Sequence, residues 1–99
     1  MNLNEKVWSA LKEIPRGKIT TYKEIAKRVG SKKAFRAVGN ACNKNPHSPK
    51  VPCHRVVSSN GSIGGYAHGL RAKKKLLAKE GIEIVDGKIF DFEGKLFKF

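Results

Sequence analysis

Residues 51–57 read VPCHRVV, which sets Cys53 beside His54 within a β-branched run. A free thiol, with a pKa near ~8.5, is a poor nucleophile until a base or a positive field favours the thiolate. His54 can supply the base and Arg55 the field. Neighbouring side chains of a strand point to opposite faces, so unless the backbone turns at Cys53, His54 must act through a water. The competing reading makes Cys53 a small buried hydrophobe and His54 a surface residue. A zinc site would draw on Cys42, Cys53, His47, His54 and His68, but no CxxC or HxxxH spacing occurs, and no metal is expected. Glu80 closes an apolar-periodic stretch, where the macrodipole of a helix disfavours an acid by about 0.3–1 kcal/mol. Either it is a solvated glutamate beside Lys79, or it orients His54 as the acid of a triad does. Spacing alone leaves both open.

The elements that must hold these residues are few. A chain of 99 residues makes one domain with one modest core. Its 21 Lys and Arg against 8 Asp and Glu give a net charge of +13, a self-repulsion that a polyanion such as nucleic acid would relieve. Solubility alone is the bland alternative. The opening MNLNEKVW has no apolar run and no stretch nears the ~20 apolar residues of a membrane span, so neither a secretory leader nor a membrane partner is expected. A cytoplasmic protein with Cys42 and Cys53 reduced follows as the expectation.

Val7, Leu11 and Ile14 have helical spacing over residues 4–14, ended by Pro15 and Gly17. Thr21 and Glu24 read as the capping box of a second helix carrying Ile25, Ala26 and Val29 and stopped by Gly30. Ser31 reads as the cap of a third helix over 32–43, and the last two helices form a helix-turn-helix. In the third, Phe35, Val38 and Cys42 share a stripe expected to face the core. Arg36, Gly39, Asn40 and Asn43 share the opposite one. A helix that reads bases shows several long polar side chains; here Arg36 is alone among small neighbours, which suits close docking without sequence readout. The loop Asn45–Pro52 is stiffened by three prolines. A strand is expected over His54–Val57, irregular chain over GGYAHG, and a last helix over Leu70–Glu80 with Leu70, Leu76 and Leu77 inward. Asp86-Gly87 and Glu93-Gly94 read as hairpin turns.

The motifs TYKEIA, FRAVGNA, NP, PCHRVV, GGYAHGL and LLAKEG, in this order, resemble the DNA-binding and catalytic domain of the O6-alkylguanine-DNA alkyltransferases. The likeness runs from Val7 to Ile84. It implies a mainly α, winged-helix-like domain with short β elements and a C-terminal hairpin. It also implies single-turnover repair, in which a cysteine takes an alkyl group from O6 of guanine with no cofactor. By resemblance Cys53 is the acceptor, His54 its base through a water, and Glu80 the acid that orients His54. Asn45 fixes the turn bearing the active-site loop, and Tyr22 crowds the 3′ phosphate and donates to the leaving guanine. Tyr66 walls the pocket beside Cys42, while the backbone of Cys53, Val56 and Ala67 reads the base edge. Arg36 enters the base stack, and Ala37, Gly39 and Asn40 lie against the minor groove of duplex DNA with little sequence preference. Arg55 belongs to the motif and is expected to be structural.

The resemblance further implies a monomer of one domain, residues 1–99, without the N-terminal domain that many members carry. Cys42 stands where a larger apolar residue is common, Ala67 where a serine is, and His68 where glycine or a bulky residue is; these departures bear on the range of alkyl groups. The alternative within the resemblance is an alkyltransferase-like protein that binds alkylated DNA without repairing it. Such proteins replace the acceptor cysteine, which is present here.

Overall fold

Asn2 starts helix α1 (Leu3–Leu11) with a complete capping box: its side chain accepts the Glu5 amide at 2.9 Å, and the Glu5 carboxylate accepts the Asn2 amide at 3.3 Å. The computed structural model describes residues 1–31 and 34–99. The helix ends short of residue 14 because the residue before Pro15 is biased away from helical backbone. Ile14 is nonetheless buried. Strand β1 (Thr20–Thr21) then leads directly into α2 (Tyr22–Arg28). Thr21 caps α2, accepting the Glu24 amide at 3.1 Å, but the box is only half formed: the Glu24 carboxylate lies 3.7 Å from Lys27 instead.

Helix α3 (Phe35–Asn43) completes the helix-turn-helix. Ala34, with no side-chain bond, occupies its N-cap, so Ser31 is not the cap; the expected start at 32 lies outside the described residues. Trp8 on α1 donates its indole N–H to the Ala41 carbonyl at 2.8 Å, tying the bundle together. Val38 and Cys42 face the core as their stripe requires, whereas Phe35 at the first turn is 45 % exposed.

The expected strand over His54–Val57 is shorter. Cys53–Arg55 form a 3-10 turn, and only Val56–Val57 are extended, as β2. Strand β2 pairs in parallel with β1 (Thr20↔Val56, Thr21↔Val57). Side chains of a strand alternate faces, and the core divides at this seam. Val56 joins Val7, Leu11, Ile25, Val38 and Cys53; Val57 joins Ile19, Ile63, Leu77, Ile82 and Ile89.

Helix α4 (Leu70–Lys79) is followed by Glu80 as its C-cap. Only Leu77 of its three leucines is fully buried; Leu76 is half-buried and Leu70 exposed, and Lys73 takes the core position one turn before Leu77. Strands β3 (Ile84–Val85) and β4 (Lys88–Ile89) form the wing hairpin, turned by Asp86 and Gly87 at φ 51° and 76°. Glu93-Gly94 makes no hairpin. It lies within α5 (Phe92–Lys95), because the tail bonds to the chain beside β1 instead: the Ile19 amide donates to the Lys95 carbonyl and the Phe97 amide to that of Ile19. The result is a mainly α winged-helix domain with two short strand pairs. Among the described residues, no helix is long and apolar enough to cross a membrane.

Candidate active site

The turn at Cys53–Arg55 opens with two buried side chains. Cys53 is 4 % and His54 1 % exposed. His54 Nε2 lies 2.8 Å from Glu80 Oε2, at the end of α4. Arg55 grips the same carboxylate with two bonds, Nε to Oε1 at 2.8 Å and Nη2 to Oε2 at 2.9 Å, and donates Nη1 to the Ile14 carbonyl at 2.7 Å. Arg55 is thus the clamp that fixes Glu80, a placement that its adjacency to His54 gives no hint of.

The protonation states follow from this geometry. Burial works to raise the Glu80 pKa, but the bonds from Arg55 and His54 outweigh it and hold the carboxyl below its ordinary value. An ionised carboxylate only accepts, so Nε2 must carry the hydrogen. Burial pushes the His54 pKa below its ordinary value against the pull of Glu80, leaving a neutral ring at pH 7. Nδ1 is therefore a bare lone pair, buried and without a hydrogen-bond partner among the described residues.

The loop before the turn is stitched by Asn45. Its Nδ2 donates to the Val51 carbonyl at 2.7 Å and its Oδ1 accepts the His47 amide at 3.0 Å. This holds Ser48 between two side chains of interest. The Ser48 hydroxyl is 2.6 Å from the Tyr66 hydroxyl, and the Cys53 thiol points to it at 3.9 Å. Tyr66 meets the His54 ring edge-on at 6.5 Å and the His68 ring at 5.3 Å. Ala67 and His68 are exposed. Cys42 is buried in the same core cluster as Cys53, and both thiols are free. Burial pushes the Cys42 pKa up to about 12, with Cys53 adding to it and Lys73 opposing, so Cys42 stays a thiol.

Tyr22, at the start of α2, reaches over this site. Its hydroxyl is 3.5 Å from the Gly65 carbonyl, and its ring abuts Gly64, where φ is 73° and a Cβ would sit 3.5 Å from the tyrosine. Burial raises its pKa to about 12, so the phenol keeps its proton.

Sequence reasoning missed Lys73. It is fully buried, and its ammonium donates to the Val56 carbonyl at 2.7 Å and the Gly65 carbonyl at 2.9 Å. Burial lowers its pKa to about 8, while Cys42 and Cys53 work in the opposite direction. The signal was its register one turn before Leu77, masked by Lys74 and Lys75. Val56, whose backbone is expected to read a base edge, has one of the two lone pairs of its carbonyl taken by Lys73. On α3, Arg36 and Asn40 are exposed and Ala37 and Gly39 half-buried; a Cβ at Gly39 would meet nothing within 4 Å. Among the described residues, no three His, Cys, Asp or Glu side chains converge as metal ligands.

Residues 2–82 match the family model of the 6-O-methylguanine DNA methyltransferase DNA-binding domain. The methylated-DNA–protein-cysteine methyltransferase of Methanosarcina acetivorans is 57% identical over 77 residues, 78% of this chain and 49% of that protein. Its namesake in Haemophilus influenzae is 39% identical over 94 residues, 95% of this chain and 52% of that one. The chain thus spans about half the length of these curated relatives. The crystal structure of Mycobacterium tuberculosis OGT in complex with DNA superposes with a TM-score of 0.79 at 42% identity, covering 82% of this chain and 49% of that chain. S. pombe Atl1, crystallised with damaged DNA containing O6-carboxymethylguanine, superposes with a TM-score of 0.84 at 35% identity and covers 100% of both chains. On fold, motif order and the match over residues 2–82, the chain belongs to the family of the 6-O-methylguanine DNA methyltransferase DNA-binding domain.

Proposed function

We propose that this chain repairs alkylated DNA by moving an alkyl group from O6 of guanine to Cys53, once per molecule. The observation that carries the reading is the thiol of Cys53 on a turn whose next side chain is a buried, neutral imidazole with a bare Nδ1. O6 lies within the duplex, so the nucleotide must leave the stack at a cost of a few kcal/mol. Arg36, the one long charged side chain on α3, fills the gap from the minor groove. Phosphate contacts to a chain of net charge +13 dock a monomer with little sequence preference.

His54 Nδ1 takes the Cys53 proton through an intervening water, and Glu80, clamped by Arg55, holds the ring and offsets the charge it gains. The sulfur attacks the alkyl carbon as the C–O6 bond breaks, and its electron pair passes to the purine. Tyr22, whose phenol keeps its proton, donates a hydrogen bond to the departing guanine anion. That anion takes a proton from water while the imidazolium of His54 returns the thiol proton to water, so protons and charge balance. Tyr66 and Cys42 wall the pocket, the carbonyls of Cys53 and Val56 and the backbone of Ala67 meet the base edge, and Asn45 keeps the loop in place. All atoms come from the thiol, the alkylated base and water, so no cofactor enters the balance.

A second reading, lesion binding without transfer, is favoured by the end-to-end match to Atl1. One experiment separates the two. After incubation with a duplex carrying O6-methylguanine, the intact mass should rise by one methyl, mapped to Cys53. Folded protein that binds the duplex with no change in mass would overturn transfer and leave binding.

A further inference from the structure

Phe35 sits on an apolar stripe with Val38 and Cys42, yet its ring is 45 % exposed while theirs are buried. A single exposed apolar side chain is ordinary; its surroundings are not. Phe35 precedes Arg36 on the first turn of α3, and one turn on lies Gly39, which leaves the backbone open. The ring also lines a cavity of about 340 Å³ with Tyr22, Lys23, Ser58 and Ser59, within the ~300–1,000 Å³ range of small-molecule sites. Two aromatic side chains, a lysine and two serines in one lining match the parts of a nucleotide: a flat apolar face beside an anionic phosphate.

We infer that Phe35 is an aromatic platform for the nucleotide next to the extruded one, on the Tyr22 side of the site. The occupant is duplex DNA, because the cavity reaches, through Phe35, the first turn of the helix proposed to dock on it, Lys23 sets a cation in its lining, and the chain carries +13. Extrusion leaves a neighbouring base without one stacking partner. A phenyl ring supplies a replacement face for any base, since base–aromatic stacking is tolerant of sequence. Arg36 fills the vacated position and Phe35 supports the flank, so the two adjacent residues divide the work of holding the duplex open.

The inference rests on the proposed docking through α3 and is tested apart from alkyl transfer. In separate duplexes, 5-iodouracil replaces each neighbour of O6-methylguanine; irradiation should crosslink one of them to residue 35, located by peptide mass. Phe35→Ala should weaken lesion-duplex binding roughly tenfold. Phe35→Trp should retain it, and thermal melts of both variants should match the parent because the side chain is half in solvent. Binding within twofold of the parent for Phe35→Ala, with no crosslink at residue 35, would overturn the platform even where the parent takes up its methyl. A crosslink and affinity loss without methyl uptake would sustain the platform and sink transfer.

Discussion

Two cysteines share one core cluster and differ in the elements that hold them. Cys42 sits on the inner stripe of α3, surrounded by apolar groups, and its thiol is pushed up to about 12. Cys53 sits at the head of a 3-10 turn, with its thiol pointing to the Ser48 hydroxyl and with the next residue, His54, buried as well. Both are small, buried and reduced. Burial alone produces an inert hydrophobe; a turn that also buries a neutral base is the setting in which a nucleophile is proposed.

The bluntest way to break this contrast is to exchange the thiols. Cys53→Ser should abolish methyl uptake from O6-methylguanine DNA, whereas Cys42→Ala should still gain one methyl per molecule, at Cys53. Peptide mass mapping reads both, and an adduct on Cys42 of the Cys53→Ser protein would erase the distinction.

A smaller effect is expected from Glu80→Gln, which keeps the side chain's shape but removes the charge behind His54. The transfer rate should fall roughly a hundredfold. The pH profile sharpens the test. His54 has a depressed pKa, so the acid limb of the parent's rate should lie below pH 6.5, where the folded ring gains its proton. Glu80 pulls that pKa upward, so its neutralisation should move the limb further toward acid. A limb that stays in place would remove Glu80 from the role of orienting acid.

The smallest effect concerns Lys73, whose buried ammonium donates to the carbonyls of Val56 and Gly65. Its pKa is about 8 folded and 10.5 unfolded. Below pH 8 both states hold the proton and the burial cost is present in full. Above it, the folded state releases the proton while the unfolded state keeps it, so stability rises with pH. Between pH 8 and 9 the parent should gain at most about 1.4 kcal/mol by urea unfolding. Lys73→Met should lose that rise. Equal pH slopes in the two proteins would place the ammonium in water.

Much of the fold could be read from local chemistry. Thr21 caps its helix because a hydroxyl can meet an orphan amide, and Asp86-Gly87 turns the wing because both residues tolerate positive φ. The quoted motifs, PCHRVV above all, placed Cys53, His54 and Glu80 in one hypothesis, and the fold sets Glu80 2.8 Å from the His54 ring. What escaped was non-local. The β-branched run suggested a strand through His54, but the backbone turns at Cys53 as the chain packs between α1 and α4. Strand β1 exists only because β2 lies beside it. Lys73 reads as one more surface lysine until the carbonyls of Val56 and Gly65 are seen at its tip. Phe35 reads as core because period alone cannot tell which end of an apolar stripe the neighbouring helices reach.

The indole of Trp8 is the chain's only one, and it is hydrogen-bonded to a carbonyl on α3, the helix proposed to meet the duplex. A slight tilt of that helix stretches the bond and alters the polarity around the ring. The protein therefore carries its own optical strain gauge, and emission wavelength during DNA titration reports whether α3 shifts on docking, with no dye attached.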